Sequence, residues 1–487
     1  MPNRSPATVI PVPRTRTSSA VELLLTLDRA APEPLHRQLE RELRDAVRSG
    51  RLAEGAVLPS TRGLAAELDV SRGIVVEAYE QLSAEGYLAT RPGGVTTVAS
   101  GVRATPSRAA PADLHHFEFD FRPGRPDLDL FPREAWLRSI RRALDVMPSS
   151  RLGYLDGRGM PELRNALADY LNRVRGTVAY AEDIIVCAGF AQGLKLVAGV
   201  LRDTGARRIG IEDPTQPETG ADLRALGLDV VELPVDDAGL QVDQLDRSRV
   251  DAVVVTAAHQ YPTGGVLPAE RRTALLAWAK RHPGVVIEDD YDAEYRYDRD
   301  PVGALQGLAP DRVVYAGSAS KILAPGLRLG WFLVPTVHAD AVAAAKRAAD
   351  SGSPAIDQLA FADFLARGEL DRHLRRLRPI YRARRDRLLD ALERHLPELQ
   401  PVGASAGLHV LTWLPSDLDE TAVVEAAAAA GIRLQGVGPR RDRAAAERGG
   451  LTFGYGVIRE DQMETAVLRL ARVFERLRAR PAGPAHA

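Results

Sequence analysis

Between Pro34 and Gly50, apolar side chains fall every fourth residue, at Leu35, Leu39, Leu43 and Val47. That spacing draws one apolar stripe along a helix, and Gly50 stands where such a helix would stop. The period returns twice before residue 90. Leu64, Ala65 and Leu68 supply a short helix that starts at Pro59 and Ser60, with Ser60 or Thr61 as its cap. Ile74, Val75, Ala78, Tyr79 and Leu82 supply another, capped by Ser71 after a turn at 69–71. Residues 86–88 then open a two-stranded wing whose tip is Pro92, Gly93 and Gly94. Beyond residue 118 the pattern changes. Short apolar runs at 183–187, 208–212, 251–256, 285–288 and 312–316 alternate with helical stretches, as in an α/β sheet. Two segments fit neither pattern. Residues 1–20, rich in Pro, Ser, Thr and Arg, read as a disordered arm, and 100–112 (SGVRATPSRAAPA) reads as a linker. The expected domains are a head at 21–99, a linker at 100–117 and a body at 118–480.

Composition narrows this picture without naming a function. A chain of 487 residues, 45% hydrophobic and 26% charged, has the balance of a globular protein of two or three folding units. No run approaches the ~18 apolar residues of a membrane helix, and residues 1–20 lack the apolar core of a secretory signal, so the cytoplasm is the expected compartment. The single cysteine, Cys187, excludes an intramolecular disulfide framework and a cysteine-cluster metal site. The net charge is −1, and residues 21–100 carry nine arginines against twelve acids. Bulk charge therefore gives the head no pull toward a polyanion. Only four of the 64 basic residues are lysines, at 195, 280, 321 and 346. A lysine standing where chemistry needs a primary amine is correspondingly informative.

In the head, placement matters more than bulk charge. Arg62 opens one helix and Arg72 the next, where side chains and free N–H groups can meet phosphates and base edges. The stretch 58–99 resembles the winged helix–turn–helix of the GntR regulators, through Pro59, Ser60, Arg62, Leu64, Ala65, Leu68, Val70, Ser71, Arg72, Val75, Ala78, Tyr79, Leu82, Glu85, Gly86 and Tyr87. The resemblance implies double-stranded operator DNA as a partner. It places Ser60, Arg62, Ser71, Arg72 and Gly73 against that DNA, with Gly93 letting the wing approach the minor groove. GntR regulators often have a polar residue after the Ser-Arg pair. Here Gly73 and Ile74 follow, which moves the weight of base readout to Arg72.

In the body, residues 317–330 read GSASKILAPGLRLG, so Ser318, Ser320 and Arg328 bracket Lys321 just after an apolar run. A pyridoxal phosphate site needs an amine for the internal aldimine and polar groups for a dianionic phosphate. It also needs a carboxylate that keeps the ring nitrogen protonated. Lys321 can be the amine, and Ser318, Ser320 and Arg328 can hold phosphate. Asp289 ends another apolar run and can meet the ring nitrogen. Neighbours on a strand face opposite ways, so Asp289 and Asp290 are not expected to do so together. Gly189, Phe190 and Ala191 follow a third run and open a helix whose free N–H groups favour phosphate. Each feature alone has an ordinary reading: a surface lysine, a capped helix, a turn.

Together and in this order they make residues 118–477 resemble a fold-type I aminotransferase domain. The whole chain resembles the MocR/GabR subfamily of GntR regulators, in which such a domain follows the winged helix. The motifs are Gly153-Tyr154, DGRG at 156–159, ELR at 162–164, EDP at 212–214, HQYPTG at 259–264, EDDYD at 288–292 and Ser320-Lys321. The resemblance implies pyridoxal 5'-phosphate as cofactor, with Lys321 forming the aldimine and Asp289 partnering the pyridinium. It puts Tyr291 on the ring's 3-oxygen, with Tyr261 at the same edge, and implies a head-to-tail homodimer. His259 lies in the ring-side loop. With no second His or Cys near it in sequence, no metal is expected there.

Two departures bear on the small-molecule effector. Gln216 stands where relatives place an aromatic residue, and Glu218 where amino-acid-sensing relatives can place arginine. The segment 449–455 lacks the arginine that clamps a substrate carboxylate, unless Arg448 or Arg459 reaches back. An α-carboxylate prefers a bidentate arginine and would be repelled by Glu218. The expected effector is therefore a cationic amine, or the cofactor itself as in relatives that control vitamin B6 synthesis. The leading reading is a pyridoxal-phosphate-dependent transcription regulator. The alternatives are an aminotransferase with an N-terminal extension and a cofactor-free DNA-binding protein.

Overall fold

The computed structural model describes residues 25, 27–90, 95–99, 117–154, 156–282, 284–297, 302–438 and 449–479. The arm at 1–20, the wing tip with Gly93, residues 100–116 of the linker and Arg448 lie outside the described residues. The chain divides into two units, Met1–Leu114 and His115–Ala487.

The small unit consists of α1 (Leu35–Arg48), α2 (Thr61–Glu67), α3 (Arg72–Ala84) and an antiparallel wing of β1 (Leu88–Thr90) and β2 (Thr96–Val98). The apolar stripe of α1 meets Leu64, Val75, Ala78 and Leu82 in one buried cluster. Ser60 caps α2, its side chain accepting from the Gly63 N–H at 3.1 Å. Ser71 holds the same position on α3 but makes no such bond. Tyr79 donates its hydroxyl to the Pro59 carbonyl at 3.0 Å, which ties α3 to the start of α2.

The large unit opens with β3 (Phe119–Asp120), α4 (Arg133–Val146) and α5 (Pro161–Arg175). Its main sheet then collects β4 (Ile184–Cys187), β5 (Arg208–Asp213), β6 (Asp229–Asp236), β7 (Gly239–Leu240), β8 (Ala252–Val255), β9 (Val285–Asp289), β10 (Val313–Ser318) and β11 (Gly330–Leu333). Across the sheet the order is β4-β11-β10-β9-β8-β5-β6-β7. The central strands run parallel, while β11 is antiparallel to both of its neighbours. Between β4 and β5 lies α6 (Phe190–Asp203), and between β5 and β6 lies α7 (Pro217–Ala225). Further along come β12 (Pro401–Val402), β13 (His409–Trp413), β14 (Ile432–Arg433), β15 (Gln435–Gly436) and β16 (Gly450–Gly454). Of these, β14 pairs with β3 and the others form a second, four-stranded sheet. This is a winged helix–turn–helix unit and an α/β unit of fold-type I aminotransferase architecture.

The five apolar runs are the buried strands β4, β5, β8, β9 and β10. Three strands of this sheet are not among those runs. β6 lies next to the sheet's edge strand and keeps charged residues among its apolar ones, and β7 has only two residues, whereas β11 is a buried apolar run as long as β4 and β8.

Candidate functional site

Side-chain alternation decides what each strand delivers to the site. In β9, Val285 and Ile287 pack into the cluster that includes α6, whereas Val286 packs with the helix Ala269–Arg281 on the other face. In β10, Val314 and Ala316 share the α6 side, and in β4 so do Ile185 and Cys187. Continuing each alternation by one step puts Asp289, Ser318 and Gly189 on a single face at the carboxyl ends of their strands. That is where open α/β sheets hold ligands.

A cavity of about 220 Å³ lies there. Its walls carry Lys321, Asp289, Tyr291, Tyr261, Gly189, Phe190, Ala191, Ser318, Ser320, Arg328 and Gln216, bringing together every body residue expected at the site except Glu218. Glu218 is the correction. It is exposed in the first turn of α7 and does not line the cavity, whereas Thr215, Gln216 and Thr219 do. Thr215 and Gln216 precede the helix, and within it Thr219 is buried against the cavity while its neighbour Glu218 turns to solvent.

Lys321 sits in the four-residue helix Ala319–Ile322, which Ser318 caps by accepting from the Ser320 N–H at 3.1 Å. Burial holds its ammonium below the ordinary lysine value, against the pull of Asp289 and Asp292, and Arg125 adds to the depression. A depressed lysine spends more time as the free amine, which is the nucleophilic form. Gly124 approaches closely, since a Cβ there would stand 3.2 Å from Nζ. Across the cavity, burial and Asp290 push the Asp289 carboxyl well above the usual range, and Lys321 opposes them. Asp290 faces away, its Oδ2 accepting from Arg175 Nε at 2.7 Å and from the Tyr315 hydroxyl at 2.8 Å.

At the other end, Gly189 starts α6 with a φ of 94°, and Phe190 and Ala191 give the first turn of free N–H groups. The Arg328 guanidinium donates to the Ala188 carbonyl, and a Cβ on Gly189 would lie 3.4 Å from Arg328 Nη2. Ser318 donates its hydroxyl to Ser320 Oγ at 2.8 Å. A cup of N–H groups, two hydroxyls and a guanidinium fits a phosphate. An amine and a carboxylate fit the aldehyde and ring nitrogen of a pyridine coenzyme. These donors therefore fit pyridoxal 5'-phosphate.

Three features went unread in the sequence. Glu212 lines the cavity, buried, accepting from the Thr256 N–H at 3.1 Å and the Thr256 hydroxyl at 2.5 Å. Burial pushes its carboxyl up to about 7. The EDP motif that closes β5 was the available signal. Pro123 and Gly124 come from the segment after β3, which no motif marked. His259 does have a histidine neighbour, supplied by the fold. His409 on β13 lies 5.2 Å from it ring to ring, and with Asp292 the three offer potential metal-ligand atoms within 4.8 Å of one another. The expectation of no metal rested on sequence spacing, which cannot see residue 409. His259 and His409 are held by hydrogen bonds, His259 to Asp292 and Tyr291, and His409 Nε2 facing the Pro262 carbonyl at 3.2 Å.

In the small unit, Ser60, Arg62, Ser71, Arg72 and Gly73 are all exposed at the N-termini of α2 and α3. Arg72 Nε reaches the Thr61 hydroxyl at 3.4 Å, which brings the two helix starts together. Gly93 lies outside the described residues.

A winged helix–turn–helix joined to an aminotransferase-like body with a lysine-bearing cavity defines a class of transcription regulators. Residues 35–98 match the model of the bacterial regulatory proteins of the gntR family, and residues 124–438 match aminotransferase class I and II. The pyridoxine biosynthesis transcriptional regulator PdxR of Corynebacterium glutamicum is 35% identical over 459 residues, covering 92% of this chain and 98% of that protein. The probable rhizopine catabolism regulatory protein MocR of Rhizobium meliloti is 31% identical, covering 95% and 98%. Among solved structures, a multiple substrate aminotransferase from Thermococcus profundus superposes with a TM-score of 0.68 at 25% identity, over 74% of this chain and 92% of that one. The chain belongs to the MocR/GabR-type regulators of the gntR family. It is a DNA-binding transcription regulator whose aminotransferase-like domain takes pyridoxal 5'-phosphate as cofactor. Among the described residues, no helix is long and apolar enough to cross a membrane.

Proposed function

We propose that this regulator reads pyridoxal 5'-phosphate, or an amine that reacts with it, at Lys321, and passes that state to operator DNA held by Ser60, Arg62, Ser71, Arg72, Gly73 and Gly93. One observation carries the reading: a depressed lysine, an elevated carboxyl and a helix N-terminus face one cavity. When bound, the coenzyme supplies an aldehyde that condenses with primary amines and a ring that withdraws electrons. The protein's own groups do the rest. Lys321 presents the amine, and Asp289 holds a proton on the ring nitrogen. Tyr291 and Tyr261 bound the 3-oxygen edge, and α6 with Ser318, Ser320 and Arg328 grips the phosphate. Acting in the cytoplasm as a head-to-tail homodimer, it would present two heads to repeated half-sites.

The effector reading shifts with the geometry. Exposed Glu218 is dropped as the residue that repels carboxylates. Among the described residues on the cavity wall the one guanidinium is Arg328, at the phosphate end. A cationic amine or the cofactor itself therefore fits better than an α-amino acid clamped by two arginines.

Hydride reduction of cofactor-loaded protein followed by peptide mass analysis tests the assignment. The adduct is expected on Lys321, and Lys321→Ala is expected to lose both adduct and visible colour while keeping its fold. A colourless wild type with no adduct would overturn it. A mobility shift on the protein's own upstream DNA, with and without cofactor, tests the coupling. The two must be reciprocal, so DNA changes cofactor affinity by the same factor. Steady keto-acid production from an amine would instead favour the enzyme reading.

A further inference from the structure

Behind the cavity wall stands a buried group that the cofactor assignment leaves without a task. His259 does not line the cavity, yet its Nδ1 lies 3.0 Å from the hydroxyl of Tyr291, which does. The same nitrogen is 2.9 Å from Asp292 Oδ2. Its other nitrogen, Nε2, faces the Gly403 carbonyl at 3.4 Å. The arrangement is tightly built. Gly407 has a φ of +78°, and a Cβ there would fall 2.2 Å from His259 Cε1 and 2.5 Å from Asp292 Oδ2. The pair thus has a backbone pressed against it, with His409 packed on the imidazole from β13. Tyr261 meets the Tyr291 ring edge-on, at 6.0 Å and 84°.

Proton accounting limits what Nδ1 can do. A ring nitrogen has one in-plane position, either a hydrogen or a lone pair. Asp292 and the Gly403 carbonyl both only accept. The nearer acceptor, Asp292 at 2.9 Å from Nδ1 against 3.4 Å between Nε2 and the carbonyl, sets the tautomer, so Nδ1 carries the hydrogen. The Tyr291 oxygen, close to the same N–H, then accepts as well and has no lone pair on His259 to donate to. Its own hydrogen must turn elsewhere, and the open direction is the cavity.

We propose that His259, oriented by Asp292, is a positioning residue that donates from Nδ1 to the Tyr291 oxygen and so aims the Tyr291 hydroxyl into the cofactor cavity. This rests on the cofactor reading above. A hydroxyl donating to the 3-oxygen stabilises the negative charge there and favours loss of the proton shared with the Lys321 nitrogen. The groups facing Tyr291 and His259 are Asp292, Tyr261, Asp289, Glu212, His409 and Lys321. Of these, only the imidazole has a hydrogen-bonding nitrogen within 3.0 Å of the phenol oxygen.

The test uses two amides that imitate one imidazole nitrogen each. In His259→Asn the side-chain N–H falls where Nδ1 was, and in His259→Gln it falls where Nε2 was. The readout is the pH midpoint of the visible band of full-length, cofactor-loaded protein. His259→Asn is expected to stay within a few tenths of a unit of the parent. His259→Gln is expected to rise by on the order of one unit, a tenfold change in proton affinity, and Tyr291→Phe to rise by as much. The double variant His259→Gln with Tyr291→Phe is expected to move no further than Tyr291→Phe alone. Additive shifts, equal behaviour of Asn and Gln, or a midpoint that ignores both would overturn the assignment. Failure of the cofactor reading looks different: the parent protein itself has no band to titrate. Should His259→Gln not fold, His259→Ala is read in its place and carries the same expectation, since it too has no N–H where Nδ1 was and leaves the charge of Asp292 beside Lys321 unchanged.

Discussion

Asp289 and Asp290 are neighbours on one chain and live in different electrostatic worlds. Asp290 lies beneath the sheet against Arg175 and Tyr315, with Glu288, Glu294 and Arg272 close by, all of them buried. There Arg175 is paired with Asp290 and Arg272 donates to the Gly303 carbonyl, and the contacts are structural. Asp289 looks the other way into the cavity, where burial lifts its carboxyl and Lys321 is the nearby cation that opposes the lift. Burial alone does not make a functional group. A buried carboxyl that faces a cavity opposite an amine marks a candidate one, because a ligand can then complete the set.

Substituting the two residues in turn should separate these roles. Asp290→Asn leaves Arg175 buried without its anion, and such half-broken pairs cost about 3–5 kcal/mol. Thermal melting of cofactor-free protein should show that loss. Asp289→Asn should leave the same melt unchanged or raise it, since an amide has no charging cost. Its penalty should appear in cofactor affinity instead, as a drop of about tenfold or more from one lost charge-assisted hydrogen bond. Equal loss of stability in both variants would erase the distinction between the faces.

Glu212 sharpens the same contrast through pH. Its carboxyl sits at about 7 when folded, raised by burial from an ordinary value of 4.5. The folded state therefore binds more protons than the unfolded one between those limits. Its contribution is complete below pH 4.5 and is lost as pH rises through 7. Glu212→Gln should flatten that part of the stability profile and leave the variant more stable than the parent at pH 8, by on the order of 1–3 kcal/mol. Melting temperatures at pH 5 and pH 8 read the difference directly. A parent protein that gains stability over this range would mean Glu212 is already ionised and paired.

How much of this was visible in the sequence depends on the range of the interaction. Alternation along β9 separates Asp289 from Asp290, and the motif around Lys321 lies within about ten residues. Both are local and legible. Glu218 was misplaced because a linear motif ignores helical phase, which turns Thr219 to the cavity and residue 218 to solvent. Glu212 and Thr256 meet only because β5 and β8 pair, and His409 reaches His259 across 150 residues from a different sheet. Such contacts come from strand order and domain packing, and no spacing rule in the chain encodes them. The edge-proximal β6 was missed because charged residues and a proline interrupt its apolar run, whereas β11 is a buried apolar run as long as β4 and β8 that directly follows the Lys321 motif.

The smallest expected effect lies in the small unit, where two serines again pose one residue type in two settings. Both stand at helix N-caps and both are exposed. Ser60 accepts from the Gly63 N–H, whereas Ser71 makes no capping bond. Ser60→Ala should therefore cost the small unit about 1 kcal/mol, within the usual 0.5–2 kcal/mol of a lost cap, and Ser71→Ala close to nothing. Operator binding should rank them the other way if the Ser71 hydroxyl is kept free for a phosphate, since that bond forms only in the complex. Thermal melts of the full-length variants, followed by binding at two salt concentrations, read both halves. A Ser71→Ala variant that loses stability but no DNA affinity would make its hydroxyl a cap after all, and would leave Arg62 and Arg72 to carry the contact at the helix starts.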